Sequence, residues 1–158
     1  TNQIVVIGVK VNDEDVVTLF DVDEKRLLSY FAAMLDDVKR NSVVVRLVGY
    51  NSKEFDLPNL AVAFARNRIA FPLGDYRAYA SKYSQEYHFD VMQFFNNFRS
   101  TPSRGTLGDW CSAFGLSRPF GSGSMMQDWI DSGDYDSAKR HCADNVRLTY
   151  ELYKLINP

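Results

Sequence analysis

The chain has 158 residues, 46% of them hydrophobic, with 18 Lys and Arg against 20 Asp and Glu for a net charge of −2. That length supports a single domain, residues 1–158, with a core of its own, and the charge excludes the dense basic stripe of a dedicated nucleic-acid binder. Long apolar runs and a leader-like N-terminus are both missing, which excludes a membrane span and a signal peptide, and two cysteines exclude a disulfide framework; a cytoplasmic setting is expected.

In chain order, Ile4–Val11 and Val16–Phe20 are β-branched and apolar enough to predict two strands around the polar turn Asn12–Asp15. Leu27, Leu28, Phe31, Met34 and Leu35 fall at helical spacing and predict a helix from about Asp23 to Val38, with Asp23 as its N-cap. Val43–Val48 predicts a buried strand. The stretch Gly49-Tyr50-Asn51-Ser52-Lys53-Glu54-Phe55-Asp56-Leu57-Pro58 follows it, and Pro58 suits the first position of a helix over 58–67 with Leu60, Ala63 and Phe64 inward. Asp56 is therefore expected where a strand end turns into a helix, the crevice at which open α/β sheets bind ligands.

Phe71–Glu86 is tyrosine-rich and predicts a helix around Tyr76–Tyr83, with Tyr76, Tyr79, Tyr83 and Tyr87 read as packing and hydrogen-bonding surface. Tyr87–Val91 predicts a short strand running into a helix near Met92–Phe98. Leu107, Trp110, Cys111 and Phe114 lie at i, i+3, i+4 and i+7, and Gly115 suits the stop of that helix. The loop Ser117–Ser124 lacks the Gly-Lys-Ser/Thr ending of a phosphate cradle. Met125–Ile130 begins another helix, and the last and longest spans about Asp136–Leu155, with Val146, Thr149, Leu152, Tyr153 and Ile156 along one side. Strands followed by helices predict an α/β fold, a mixed sheet with helices packed on it. Residues 61–120 are mildly basic, seven Arg and Lys outnumbering four Asp and Glu; this is compatible with a phosphate-backbone partner and equally with ordinary solvated charge. With only His88 and His141 to supply imidazole, a bound metal is expected to be a hard ion held by oxygens.

Gly49-Tyr50-Asn51-x-x-x-Phe55-Asp56-Leu57-Pro58-x-Leu60 resembles the second exonuclease motif of the proofreading domain of family B DNA polymerases, and more closely the predicted 3′–5′ exonucleases related to that domain. The likeness continues in order through His88-Phe89-Asp90, Leu107–Leu116 and Gly121–Trp129. It ends at His141-Cys142-Ala143-Asp144-Asn145-Val146-x-x-Thr149-x-x-Leu152-Tyr153, which resembles the family's Tyr-Cys-x-x-Asp-Val-x-x-Thr-x-x-Leu-Tyr helix. The resemblance covers essentially the whole chain. It implies an RNase H-like fold of the DEDD group, a mixed β-sheet flanked by α-helices.

That family hydrolyses phosphodiesters with two divalent ions, Mg²⁺ or Mn²⁺, roughly 3.5–4 Å apart. They are held by an Asp-x-Glu pair on the first strand, the Asp of the second motif and an Asp on the last helix, while a Tyr or His orients the water. The resemblance carries Asp56 over as a metal ligand. Asp90 reads either as an outer metal group or as a strand-end cap. Tyr50, Asn51 and Phe55 are the expected substrate contacts; the residue-level alternatives are a loop tied down by Asn51 and a core position for Phe55. Read by itself, Asp56 also suits a helix cap.

The departures are as telling. Ile4–Val11 matches the family's second strand, so the first strand and its Asp-x-Glu are expected to be missing here. In the alternative register Gly8 and Lys10 occupy the acidic slots, and Asp21–Glu24 makes a poor substitute. Asn145 stands in the last Asp slot, whether native or an engineered inactivating change, and His141 in the Tyr slot. His141 reads mainly as a surface or half-buried helix residue, with a water-orienting role as the alternative. Asp144 lies about 100° further round the helix and cannot replace the missing acid. The expected function is a 3′–5′ exonuclease-like domain for a single-stranded DNA or RNA 3′ end, inactive or truncated as written. The alternative is a non-catalytic module that binds nucleic acid or a protein partner.

Overall fold

The computed structural model describes residues 3–99 and 104–158. In chain order the elements begin with β1 (Val6–Val9), β2 (Val17–Phe20), α1 (Glu24–Arg40) and β3 (Leu47–Gly49). There follow α2 (Asp56–Arg66), α3 (Tyr76–Ala80), β4 (His88–Asp90) and α4 (Val91–Phe95). The rest is helical: α5 (Leu107–Ala113), a 3-10 turn at Gly123–Met125, α6 (Met126–Ser132) and α7 (Tyr135–Ile156). These elements make two compact units, one of residues 3–5 and 21–99, the other of residues 6–20 and 104–158. The chain is mixed α/β, as expected. Among the described residues, however, the strands form two separate two-stranded ladders rather than one mixed sheet.

In the unit of residues 6–20 and 104–158, β1 and β2 pair antiparallel from Val6↔Phe20 to Val9↔Val17. The turn between them is where expected, Asn12 taking a left-handed φ of 49°. Gly8 faces α7 so closely that an added Cβ would stand 2.8 Å from Val146 Cγ2 and 2.9 Å from Cys142 Sγ. A side chain there would force helix and hairpin apart. Gly8→Ala is expected to destabilise the protein by about 1–3 kcal/mol, the usual effect of overpacking, measured by urea unfolding. The spacing along α7 proves inward-facing at Thr149 and Leu152, joined by Ala138 and Leu148, all buried. On α5, Leu107 and Cys111 are buried while Phe114 is exposed, since Gly115 (φ 72°) ends the helix beside it. Neither Cys111 nor Cys142 is in a disulfide.

In the unit of residues 3–5 and 21–99, α1 starts where expected, the Asp23 side chain accepting from the Arg26 N–H. It buries Leu27, Leu28, Phe31 and Leu35. Phe64 of α2 continues this core, with its ring centroid 6.4 Å from that of Phe31 and 5.7 Å from that of Phe71. Helix α2 opens two residues earlier than Pro58 predicts. Pro58 is then the third helical residue, still in the first turn, where no N–H is needed. The strand expected over 43–48 shrinks to Leu47–Gly49, and Val43 and Val44 are exposed. Its partner β4 offers only three residues for the parallel ladder, Leu47↔His88 to Gly49↔Asp90, and β-propensity alone cannot extend a strand past its partner. Upstream, the chain is held by side chains instead: Tyr79 Oη donates to the Val45 carbonyl and Arg46 Nε to that of Glu86.

Glu24 is one of the buried charged residues of this unit. Its carboxylate accepts from the Ile4 N–H (2.7 Å), Arg66 Nε (2.8 Å) and Asn67 Nδ2 (2.7 Å). Burial works against the ionised form, but the bonds from Arg66, Ile4 and Asn67 outweigh it and hold the carboxyl below its ordinary 4.5. Asp21 and Asp23 are likewise engaged, by Arg26 and by the helix start. Glu24→Ala is expected to cost about 2 kcal/mol, below the range for fully buried pairs because Arg66 is partly solvated. The depressed folded-state pKa means this stabilisation is present above pH 4.5 and lost as the pH falls through the folded value, a trend urea titrations at several pH values measure. No helix among the described residues is long and apolar enough to cross a membrane.

Candidate functional site

The loop joining β3 to α2 is built around one carboxylate. Asp90 is fully buried at the end of β4. Its Oδ1 accepts from the N–H groups of Asn51 (2.9 Å), Met92 (3.0 Å) and Gln93 (3.2 Å), and its Oδ2 from that of Lys53 (3.0 Å). One side chain thus caps α4 and pins the loop, uniting the two segments that the parallel β3–β4 ladder lays side by side. The capping alternative for Asp90 is what this geometry supplies.

Gly49 is the hinge of the turn: a Cβ there would sit 2.1 Å from Ser52 Oγ. Asn51 next adopts φ 55°, and its carbonyl accepts from the Phe55 N–H, so the loop closes on itself as its residue-level reading expects. Ser52 Oγ lies 2.7 Å from His88 Nε2, and His88 Nδ1 lies 3.1 Å from the Tyr79 carbonyl. A carbonyl only accepts, so Nδ1 bears the proton and Nε2 accepts from the Ser52 hydroxyl. Burial pushes the imidazole down to about 4, against the opposing pull of the Tyr79 bond and the Asp90 charge.

Lys53 is buried too, with Nζ donating to the carbonyls of Ser81 (2.9 Å) and Ser84 (2.5 Å). Desolvation lowers its pKa, although the Asp90 charge works the other way. Helix α3 ends at Ala80, short of the expected Tyr83, because Ser81 already has extended backbone (ψ 119°). Ser52 and Lys53 occupy wildcard positions of the motif, so sequence comparison passed over them. Gln93 was missed as well: it is buried, and neither atom of its side-chain amide has a hydrogen-bond partner among the described residues. The same holds for Asn51 Oδ1.

Asp56 is the first residue of α2 and is exposed. Its carboxyl is nonetheless pushed up to about 6, mainly by desolvation, with the Asp90 charge adding and its own backbone N–H opposing. A carboxyl that reaches solvent while protein crowds its other sides reconciles exposure with that shift. It is not the side-chain cap of α2, whose start has none. Phe55 is 62% exposed, which overturns the core reading of that ring. Tyr50 is half-buried.

The residues on α7 form a second cluster in the other unit. His141 is buried rather than on the surface. Its Nδ1–H donates to the Phe120 carbonyl at 2.5 Å, and its Nε2 accepts from Asn145 Nδ2 at 3.1 Å. Asp144, three residues on and on the same side of the helix as His141, takes the Phe120 N–H at 3.0 Å. His141 and Asp144 therefore clamp both polar groups of one peptide residue, while the Phe120 ring stacks on Trp129 with centroids 5.6 Å apart. Both nitrogens of His141 are committed to this cluster.

The donor set for the implied metal ions is poor. Asp90 is spent on four amides, and position 145 carries a neutral amide bonded to His141. Among the described residues, no group of three or more His, Cys, Asp or Glu is placed to hold a metal ion. These residues do not fit a two-metal carboxylate cage.

Over residues 2–157 the chain matches the family described as a predicted 3′–5′ exonuclease related to the exonuclease domain of PolB. The match runs through both compact units. The chain is also 27% identical to the uncharacterized protein MJ0365 of Methanocaldococcus jannaschii, over 98% of its own length and 86% of that protein's.

Proposed function

We propose, because this chain belongs to the family of predicted 3′–5′ exonucleases related to the exonuclease domain of PolB, that it is an RNase H-like domain of the DEDD group that receives a single-stranded 3′ end at the Asp56 loop. Tyr50, Asn51 and the exposed Phe55 are its substrate contacts. The observation that carries this reading is the family match along nearly the whole chain, with Asp56 placed at the first turn of α2 behind a rigidly pinned loop. A bound Mg²⁺ or Mn²⁺ would supply a Lewis acid for a water and for the phosphoryl oxygens. Here Asp56 is the one carboxylate left to hold such an ion. The chain is therefore a binding domain without ordinary two-metal hydrolysis, and the protein-partner module is its alternative.

Two measurements test this. Incubated with Mn²⁺ or Mg²⁺ and a 5′-labelled oligonucleotide, the protein is expected to leave the 3′ end intact. Asn145→Asp alone is expected to change nothing, because the Asp-x-Glu pair is still lacking. Shortening that Asp56→Ala abolishes would overturn the inactive assignment. In fluorescence anisotropy, a single strand should bind at low salt and dissociate as salt rises, through counterion release. No binding at any salt concentration would favour the protein-partner alternative.

A further inference from the structure

We propose that Tyr83 and Phe98 form a stacking platform for a base of single-stranded nucleic acid, tied to the Asp56 loop by Lys53; this rests on the nucleic-acid reading above. Tyr83 is 71% exposed, the most exposed tyrosine of the segment that the sequence suggested was packing surface. Its ring meets that of Phe98 at 5.8 Å, edge to face, leaving aromatic surface open to solvent. Phe98 and its neighbour Asn97 both hold left-handed backbone, φ 59° and 52°, a conformation that L side chains rarely adopt.

The charges suit a phosphate-linked ligand. The Lys82 ammonium lies 5.6 Å from the Tyr83 ring centroid, and the exposed Arg99 follows Phe98 directly. Two carboxylates, Asp75 and Glu86, lie in the same segment, and Asp75 is taken up in capping α3. Aromatic faces beside cations are how sequence-tolerant single-strand sites are made: the ring stacks a base while the cation meets the backbone. An apolar protein partner would gain nothing from the two cations.

The platform is also connected. Lys53 Nζ binds the carbonyls of Ser81 and Ser84, which bracket Lys82 and Tyr83, while the Lys53 N–H is held by Asp90. The residue that anchors the motif loop thus also fixes the position of the ring, so a strand stacked on Tyr83 is held in register with the loop carrying Phe55 and Asp56.

The test is fluorescence anisotropy with a labelled oligothymidylate and with an abasic oligomer of equal length, which keeps the phosphates and removes the bases. The wild-type protein should prefer the thymidylate. Tyr83→Ala should weaken thymidylate binding about fivefold to a hundredfold and leave abasic binding unchanged, while Tyr83→Phe keeps the preference. Circular dichroism checks that the variants fold, as the exposure of Tyr83 predicts. If the wild type binds thymidylate and Tyr83→Ala binds it equally well, the platform is overturned and the nucleic-acid reading stands. If the wild type binds neither oligomer, both fall. Self-association that Tyr83→Ala abolishes, without any oligomer binding, would assign the rings to a second copy of the chain and overturn the proposal.

Discussion

Asp90→Ala is expected to cost about 4 kcal/mol, a large part of the roughly 5–15 kcal/mol that holds a domain together. Four backbone N–H groups converge on this one carboxylate, which is fully buried. A hydrogen bond to a charged group contributes about 1.5–3 kcal/mol, and a buried donor left unpaired pays its desolvation in full. The sum falls short of four times that figure, because the loop can open and let water reach some of the amides. Asp90→Asn separates the roles of the two oxygens. Its Oδ1 can still serve Asn51, Met92 and Gln93, but an NH₂ group then faces the Lys53 N–H, donor against donor. A loss of about 2 kcal/mol is expected for that variant, measured by urea unfolding. If Asp90→Ala proved as stable as wild type to within about 0.5 kcal/mol, the capping role would be wrong and the ligand reading would return.

Acidification is expected to remove about 3 kcal/mol of stability through His88 between pH 6.5 and pH 4. The imidazole is buried neutral, with Nδ1 donating to Tyr79 and Nε2 accepting from Ser52, and its pKa falls from 6.5 to about 4 on folding. In that window the unfolded chain binds the proton and the folded one does not, so stability declines as the pH drops. Protonation would also put an N–H on Nε2, where the Ser52 hydroxyl now donates. Asp56 acts in the opposite sense. Its folded-state carboxyl, pushed up to about 6 from 3.8, takes up a proton before the unfolded one does, so acidification relieves an unfavourable charge. The wild-type curve is therefore flattened. Asp56→Asn should be more stable at pH 7 and should lose stability more steeply below pH 6.5. Chemical unfolding at half-unit pH intervals reads both effects, and a wild-type and variant pair with parallel curves would show that Asp56 is not desolvated.

The elements with strong periodicity were legible in advance. Leu27, Leu28, Phe31 and Leu35 announce α1, and Asp23 announces its start, because helix spacing and capping are local properties of the chain. The hairpin β1–β2 was legible for the same reason. The strand over 43–48 was not, since four valines say that a strand is favourable but not how long its partner will be. Phe55 shows the same limit from the other side. A phenylalanine suggests a core position by its type alone, yet the residue before α2 is turned outward by a loop whose path Asp90 dictates.

By itself, then, the order of motifs determined the family, and the identity of a single residue put an amide at position 145, where the resemblance leads one to expect an acid. Charge and metal affinity belong to side-chain type, which needs no coordinates. Only the tertiary structure decided the roles of Asp90, Ser52, Lys53 and His88. Their hydrogen bonds between the two segments join residues 28 to 39 positions apart, and which buried donor meets which acceptor depends on how the parallel β3–β4 ladder lays the segments together.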